Sequence, residues 1–144
     1  MITLHFGVID IPYDEGKATT GDVAEILEAK YKIMQTFFDL HQDKIADFLA
    51  KDMAAQIENM LAGAPIPHEP LGEAMGEIKT LFAKFLDDEE MNGAEGVPTD
   101  AALKGISRRF KKLKSGRRPS FIDTGSYQAS FRAWVSGLLN DVDF

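Results

Sequence analysis

Residues 19–65, TTGDVAEILEAKYKIMQTFFDLHQDKIADFLAKDMAAQIENMLAGAP, decide the fold class of this chain. Apolar residues recur here at spacings of three and four, which is the period of one face of an α-helix. The positions are Val23, Ile26, Leu27, Tyr31, Met34, Phe38, His41, Ile45, Phe48, Leu49, Met53, Ile57 and Met60. The pattern predicts a long helical region over 19–62.

Both ends of this region carry helix-boundary signals. Thr19, with Asp22 three residues later, predicts a capping box at the start. Gly63 followed by Pro65 predicts the stop. Residues 39–43 contain neither Gly nor Pro, so the region is either one long helix or a helical hairpin that breaks there.

The flanking segments predict an α+β fold. Residues 2–10, ITLHFGVID, are rich in β-branched and aromatic side chains and predict a strand. The proline-rich residues 63–70 predict an extended connector. Apolar periodicity then predicts helices over 71–90 and over 99–114, the second with Thr99 as its N-cap. We expect one domain, 1–144, mostly helical with a small sheet.

The length and composition of the chain exclude several classes of protein and of catalytic site. A chain of 144 residues has the size of one ordinary domain. The absence of cysteine excludes disulfides and thiolate catalysis, and no apolar run approaches the roughly 18 residues of a membrane span, so we expect a soluble, unsecreted protein. His5, His41 and His68 show no metal-ligand spacing, and no phosphate loop or serine nucleophile motif is present. We therefore expect no catalytic residue, metal or cofactor.

The apolar side chains of the helices are expected to form the core. The chain holds ten phenylalanines, and Met34, Met53, Met60 and Met75 fall on apolar helical faces. Flexible thioethers fill gaps in a core, and some of them could instead line a subunit interface.

Charge is distributed unevenly along the chain. Residues 108–118, RRFKKLKSGRR, contain seven basic residues and no acid, although the net charge is −7. They are Arg108, Arg109, Lys111, Lys112, Lys114, Arg117 and Arg118. This basic stretch is a solvated face, a phosphate-contacting patch, or a contact for the acidic surface of a partner or another copy. Only Phe110 and Leu113 interrupt it, so stacking of bases is disfavoured and self-association is the better functional interpretation.

Residues 121–127, FIDTGSY, contain the Asp-Thr-Gly string found around the catalytic carboxylate of aspartic proteases. Such a site needs two carboxylates about 3 Å apart, hence a symmetric dimer, and a β-rich scaffold around them. Only 19 residues follow Gly125, and a helical pattern precedes it. The plainer interpretation is that Thr124 caps a helix beginning at Gly125, while Asp123 adds negative charge at its positive end.

Two structures are compatible with the residues after this cap. A helix would place on one face Tyr127, Phe131, Trp134, Val135 and Leu138. Alternatively, only the first turn or two is helical, and FRAWVS, residues 131–136, alternates as a strand with Phe131, Ala133 and Val135 on one side.

The segment RRPSFIDTGSYQASFRAWV, residues 117–135, resembles the most recognisable segment of the tailed-phage virion-morphogenesis and tail-completion proteins. In that family a Pro and an apolar residue precede Asp-Thr-Gly, and an apolar position, a polar pair and Ser follow it. The matching positions are Pro119, Phe121, Ile122, Asp123, Thr124, Gly125, Tyr127, Gln128, Ala129 and Ser130, with Trp134 in the same structural segment. The resemblance implies a structural role for this motif and no catalysis.

The resemblance also implies where the protein acts. It indicates an α+β virion protein, made in the host cytoplasm, that completes or joins the tail at the head–tail junction as a neck or tail-terminator component. The implied partners are further copies of itself, in a ring of six or twelve, and the connector and tail-tube proteins. Neither a membrane nor sequence-specific DNA contact is expected. The alternatives are a helical adaptor that binds nucleic acid through residues 108–118 and a dimeric aspartyl protease.

Overall fold

The computed structural model describes residues 2–12, 18–65, 67–99, 102–103, 106–107, 112–113, 120–121 and 125–137. Its elements are β1 (Thr3–Val8), α1 (Thr20–Tyr31), α2 (Ile33–Leu61), α3 (Gly72–Asp87), β2 (Ile106–Ser107), β3 (Lys112–Leu113), α4 (Ser126–Ser130) and β4 (Phe131–Ser136). Three helices dominate, and the strands form two small antiparallel pairs. The predicted fold class, α+β and mostly helical, is confirmed.

The long helical region forms two helices rather than one. Lys32 adopts the left-handed conformation (φ 53°, ψ 50°) and ends α1. The carboxylate of Glu28 reaches past this break and accepts hydrogen bonds from the N–H groups of Met34 (2.8 Å) and Gln35 (3.1 Å), which begin α2. Within the expected break at 39–43, the backbone only kinks, at His41. The break therefore lies where a local carboxylate can cap the new helix.

The predicted helix boundaries at 19 and 63 are confirmed. The Thr19 hydroxyl accepts a hydrogen bond from the Asp22 N–H, and the Asp22 carboxylate accepts one from the Thr19 N–H. After α2, Gly63 has φ 90°, and the N–H of Ala64 bonds the carbonyl of Asn59 at 2.9 Å. This 6→1 bond and the positive φ are those of a Schellman stop, which favours glycine.

Among the described residues, the helix predicted over 99–114 is wrong at 106–107 and 112–113. Thr99 does cap the predicted first turn, since its hydroxyl accepts a hydrogen bond from the Ala102 N–H at 3.2 Å. Further on, Ile106–Ser107 pairs antiparallel with Lys112–Leu113. A helix would have placed Arg108 and Lys112 one turn apart, and like charges at this spacing destabilise helices.

The main sheet consists of β1 and β4, paired antiparallel within the chain. The alternative that placed residues 131–136 in a strand is therefore correct, and the long C-terminal helix is wrong. Phe131 and Ala133 are buried, whereas Arg132 and Trp134 are exposed, which is the alternation expected of a half-buried strand. The inner face of β1 supplies Phe6.

A cluster of phenylalanine rings joins the helices to this sheet. Phe37 of α2, Phe82 and Phe85 of α3, and Phe131 of β4 are completely buried. Phe82 stacks on Phe131 with ring centroids 4.0 Å apart, and Phe37 meets Phe82 edge-on at 5.2 Å. Such pairs contribute about 0.5–1.5 kcal/mol beyond their buried area. The predicted phenylalanine core is thus confirmed for these positions.

The end of β1 is fastened to the start of α1 by Thr20. Its hydroxyl is completely buried, donates to the carbonyl of Ile9 at 2.5 Å and accepts from the N–H of Ile11 at 2.7 Å. The next residue, Gly21, donates its N–H to the Asp10 carboxylate at 3.0 Å. These bonds hold β1 and α1 in a defined arrangement.

Candidate functional site

The residues of the predicted structural motif fall into described and undescribed groups. Phe121, Gly125, Tyr127, Ser130 and Trp134 are described, whereas Pro119, Ile122, Asp123 and Thr124 lie outside the described residues. The ring of Phe121 meets that of Tyr31 edge-on at 4.9 Å. Tyr127 and Ser130 are buried, and the Ser130 hydroxyl donates to the Tyr127 carbonyl at 2.9 Å.

The short helix α4 begins one residue later than predicted. Gly125, expected as its first residue, is instead its N-cap, with φ 81° and ψ 0°. Glycine accepts this left-handed conformation without a steric penalty. It has no side chain with which to bond the first turn, and the Gly125 carbonyl accepts the first backbone bond, from the Ala129 N–H at 2.9 Å.

Most of the basic stretch also lies outside the described residues. Lys112 belongs to β3, and the other six basic residues, Arg108, Arg109, Lys111, Lys114, Arg117 and Arg118, are not described. The predicted role of these residues as an interaction patch remains a prediction.

One candidate docking surface is an apolar stripe at the end of α2. It consists of Met53, Ile57, Met60 and Leu61, whose exposed fractions are 40%, 56%, 48% and 84%. Their spacings of four, three and one place them on one helical face. The core interpretation of Met53 and Met60 is therefore wrong, because periodicity identifies an apolar face without identifying what covers it. The alternative, that some of the methionines line a subunit interface, stays a prediction.

The stripe is exposed because α3 covers α2 only as far as Asp52. This buried carboxylate accepts a hydrogen bond from the N–H of Ala74, in the first turn of α3, at 2.8 Å. A carboxylate here also complements the positive end of the helix dipole. Of the α2 residues after Asp52, only Gln56 is partly buried and the others are exposed. At 1.5 Å per residue, this end of α2 continues for about 14 Å.

A second candidate surface is a cavity of about 770 Å³ between β4 and the start of α3. One wall is formed by residues 132–137, and the other by residues 67–70 together with Gly72, Met75, Gly76 and Lys79. The proline-rich residues 63–70, predicted as an extended connector, thus contribute to a cavity wall that was not predicted. The signal that could have marked it is glycine inside the helical pattern, which usually has a packing or functional reason.

The outer face of the sheet adjoins this cavity and displays an aromatic pair. The Trp134 ring stacks on the His5 ring, with centroids 5.3 Å apart and planes 11° from parallel. His5 and Trp134 are directly opposite each other in the two strands, and the His5 Nε2 lies 2.8 Å from the Ser136 hydroxyl. Trp134 remains 47% exposed and borders the cavity.

The histidines have separate surroundings. His41 lies at the kink of α2 with its Nε2 3.1 Å from the Glu90 carboxylate, and His68 borders the cavity. Within the part of the chain that the structure describes, no three His, Asp or Glu side chains converge as a metal site. Among the described helices, none combines the length and apolar character needed to cross a bilayer.

Comparison with known proteins finds no matching family, curated protein or solved structure.

Proposed function

We propose that this chain is a structural protein of a tailed-phage virion, which completes or joins the tail at the head–tail junction by self-association into a ring. The observation that carries the proposal is the exposed apolar stripe on residues 53–61. Monomeric soluble proteins rarely expose contiguous apolar patches of this kind, and such patches mark interaction sites. A helix end that extends beyond its own core is suited to insertion against a neighbour.

Charge favours another copy of the chain as that neighbour. The basic stretch 108–118 carries seven positive charges, while the rest of the chain carries nine basic and 23 acidic residues. A ring brings different surfaces of adjacent copies together, so the basic stretch of one copy meets the acidic surface of the next. The apolar stripe would supply binding free energy, and the charges would fix orientation.

The resemblance of residues 117–135 to tail-completion proteins supplies the virion context. The motif residues that the structure describes pack against the core or the sheet, which supports a structural role for the motif. Tyr127 and Ser130 are buried against the core, and Trp134 covers the outer face of β1. The head–tail junction is therefore the proposed location, with connector and tail-tube proteins as neighbours.

Native mass spectrometry of the purified chain at low and moderate ionic strength tests this proposal. We expect a closed oligomer, six or twelve copies, that loosens with salt because exposed charge pairs are screened. Ile57→Asp should shift the distribution toward monomer, since it places a charge in the stripe. The matched control is Ala55→Asp, an equally charged change at an exposed position two residues away. Residues at this spacing lie on opposite sides of a helix, so the control should assemble normally.

The outcomes separate the alternatives. A wild-type monomer, or an oligomer indifferent to Ile57→Asp, overturns self-association through this stripe. A strict dimer that cleaves an unfolded protein at acidic pH, and loses this activity in Asp123→Asn, favours the protease. Salt-sensitive binding of duplex DNA, lost when residues 108–118 are neutralised, favours the nucleic-acid adaptor.

A further inference from the structure

We propose that the cavity beside β4 binds an extended, acidic peptide segment of another protein chain, which adds to β4 as a further strand. This inference goes beyond ring formation and does not depend on it, because the apolar stripe of α2 contributes no residue to the cavity. Strand addition to an exposed sheet edge is an established mode of peptide recognition, in which main-chain hydrogen bonds supply affinity.

The first support is the direction of the backbone groups of β4. The Ile9 N–H bonds the Ser130 carbonyl at 2.8 Å, which makes these two residues a hydrogen-bonded pair. Such pairs alternate along an antiparallel ladder, so the N–H and C=O groups of Phe131, Ala133 and Val135 point away from β1. Among the described strands, none pairs with this outer edge.

The second support is that the outer edge of β4 borders the cavity. All six consecutive residues 132–137 line it. Successive side chains of a strand point to opposite faces, so a cavity lined by consecutive residues reaches the edge of the strand. Ile9, which follows β1, also lines the cavity, so it extends over part of the outer sheet face as well. The N–H and C=O groups of Ala133 and Val135 that face away from β1 have no partner among the described residues, and they point toward the cavity.

The third support is the open opposite wall. Gly76 lies inside α3, where glycine costs about 0.5–1 kcal/mol relative to alanine. A Cβ at Gly76 would meet no atom within 4 Å, so packing inside this chain does not require a glycine there. The missing side chain leaves room for close approach of another backbone.

The charge of the lining defines the occupant. Lys79 and Arg132 are cations on the two walls, and Glu69 is the single acid among the described residues that line the cavity. With His68 neutral, the described lining carries a net charge of +1, whereas the whole chain carries −7. Met75 and Trp134 add apolar surface. An occupant that alternates acidic and apolar side chains matches both, because alternate residues of a strand face opposite sides.

The length of β4 sets the length of the probe. Its six residues span about 20 Å at 3.3–3.4 Å per residue. The probe is a fluorescein-labelled heptapeptide of alternating Val and Asp, and binding is measured by fluorescence anisotropy. One control peptide replaces each Asp with Lys. Two further control peptides carry N-methyl groups on backbone nitrogens. One is methylated at the odd-numbered residues of the peptide and the other at the even-numbered residues.

Wild-type protein should bind the Val-Asp peptide at least about tenfold more tightly than the Val-Lys peptide. One of the two N-methylated versions should lose binding, because strand addition needs its N–H groups. Gly76→Leu should weaken binding by about tenfold or more while the fold is kept or stabilised, since leucine is a better helix former than glycine. The control Glu77→Leu places leucine at an exposed α3 position outside the cavity lining and should not weaken binding.

Several results overturn the proposal. They are absence of binding to the Val-Asp peptide, equal binding of the Lys peptide, full binding of both N-methylated versions, or unchanged binding by Gly76→Leu. The last two would mean that any bound peptide lies elsewhere or is not added as a strand. Unchanged oligomeric state in Gly76→Leu, measured in the same samples, separates this proposal from failure of ring assembly.

Discussion

The Trp134 indole lies across β1 so closely that a Cβ added to Gly7 would come 2.9 Å from its Cη2 atom. The ring therefore covers the strand where β1 has no side chain, and it stacks on His5 at the same time. An aromatic ring over a strand glycine shields backbone that would otherwise be exposed. Gly7 and Trp134 thus form one unit of the outer sheet face.

This contact predicts that the effect of Gly7→Ala on the free energy of unfolding changes sign when Trp134 is removed. Gly7→Ala in the wild type should destabilise the fold by about 1 kcal/mol, because the indole must be displaced. In a Trp134→Ala background, the same change should be neutral or stabilising, since alanine is favoured over glycine inside a strand. Urea unfolding of the four proteins measures both effects. Equal effects in the two backgrounds would contradict the close contact.

The Asp52 carboxylate caps the first turn of α3 from the neighbouring helix α2, so its removal should destabilise the fold. Asp52→Ala should lower the free energy of unfolding by about 0.5–2 kcal/mol, because the Ala74 N–H loses its acceptor. Asp52→Asn keeps an acceptor oxygen and should cost less. The control is Asp47→Ala on the same helix, where the exposed ion pair to Lys51 contributes at most about 1 kcal/mol. Chemical unfolding that ranks Asp47→Ala above Asp52→Ala would contradict the cap.

We expect Asp10 to account for part of the loss of stability at acidic pH. The Thr19 hydroxyl, and then the Gly21 N–H, hold the pKa of the Asp10 carboxyl below its ordinary value of 3.8. A carboxylate with a lowered pKa in the folded state stabilises the fold above its unfolded pKa, and this contribution is lost as the pH falls through the folded pKa. Melting temperatures of Asp10→Asn should therefore fall less steeply below pH 3.8 than those of the wild type. The exposed Asp43→Asn is the control, and an identical slope in wild type and Asp10→Asn would contradict the prediction.

Because the Tyr127 hydroxyl is buried, we expect the motif to tolerate Tyr127→Phe. The hydroxyl has no hydrogen-bond partner within the described part of the chain. Tyr127→Phe should therefore be neutral or stabilising, by up to about 1 kcal/mol, whereas Tyr127→Ala should cost about 3–5 kcal/mol by analogy with other large-to-small core changes. A substantial loss of stability in Tyr127→Phe, measured by urea unfolding, would show that the hydroxyl is bonded.

Tyr127 also predicts loss of stability in strong base. Burial, and then the negative charge of Glu28, raise the pKa of Tyr127 above its ordinary value of 10.0. A group whose pKa is raised by folding stabilises the fold below its unfolded pKa, and this contribution is lost as the pH rises above that value. Above pH 10.0, Tyr127→Phe should lose less stability than the wild type. Parallel curves for the two proteins would contradict the assignment.

Local signals in the sequence were sufficient where the structure depends on neighbouring residues. Thr19 and Asp22 form their predicted capping box, and Gly63 ends α2 as predicted, because each bond joins groups within one turn. The break at Lys32 was missed because the cap that starts α2 comes from Glu28, on the preceding helix. The helix predicted over 99–114 is wrong at 106–107 and 112–113, because these residues pair with each other as two short strands.

The sequence by itself determined the mostly helical α+β class, the apolar faces, the capping box at Thr19 and the stop at Gly63, since these follow from propensity and periodicity along the chain. Tertiary structure alone decided which apolar face is covered. Ile45 is buried, whereas Ile57, another position of the same predicted periodic pattern, lies on α2 beyond Asp52, where α3 no longer covers it. The tertiary structure also brought Gly76 and residues 132–137 to the same cavity. Whether a side chain is buried or lines a cavity depends on segments that are distant in sequence and meet only in the folded chain. Local sequence patterns therefore cannot predict it.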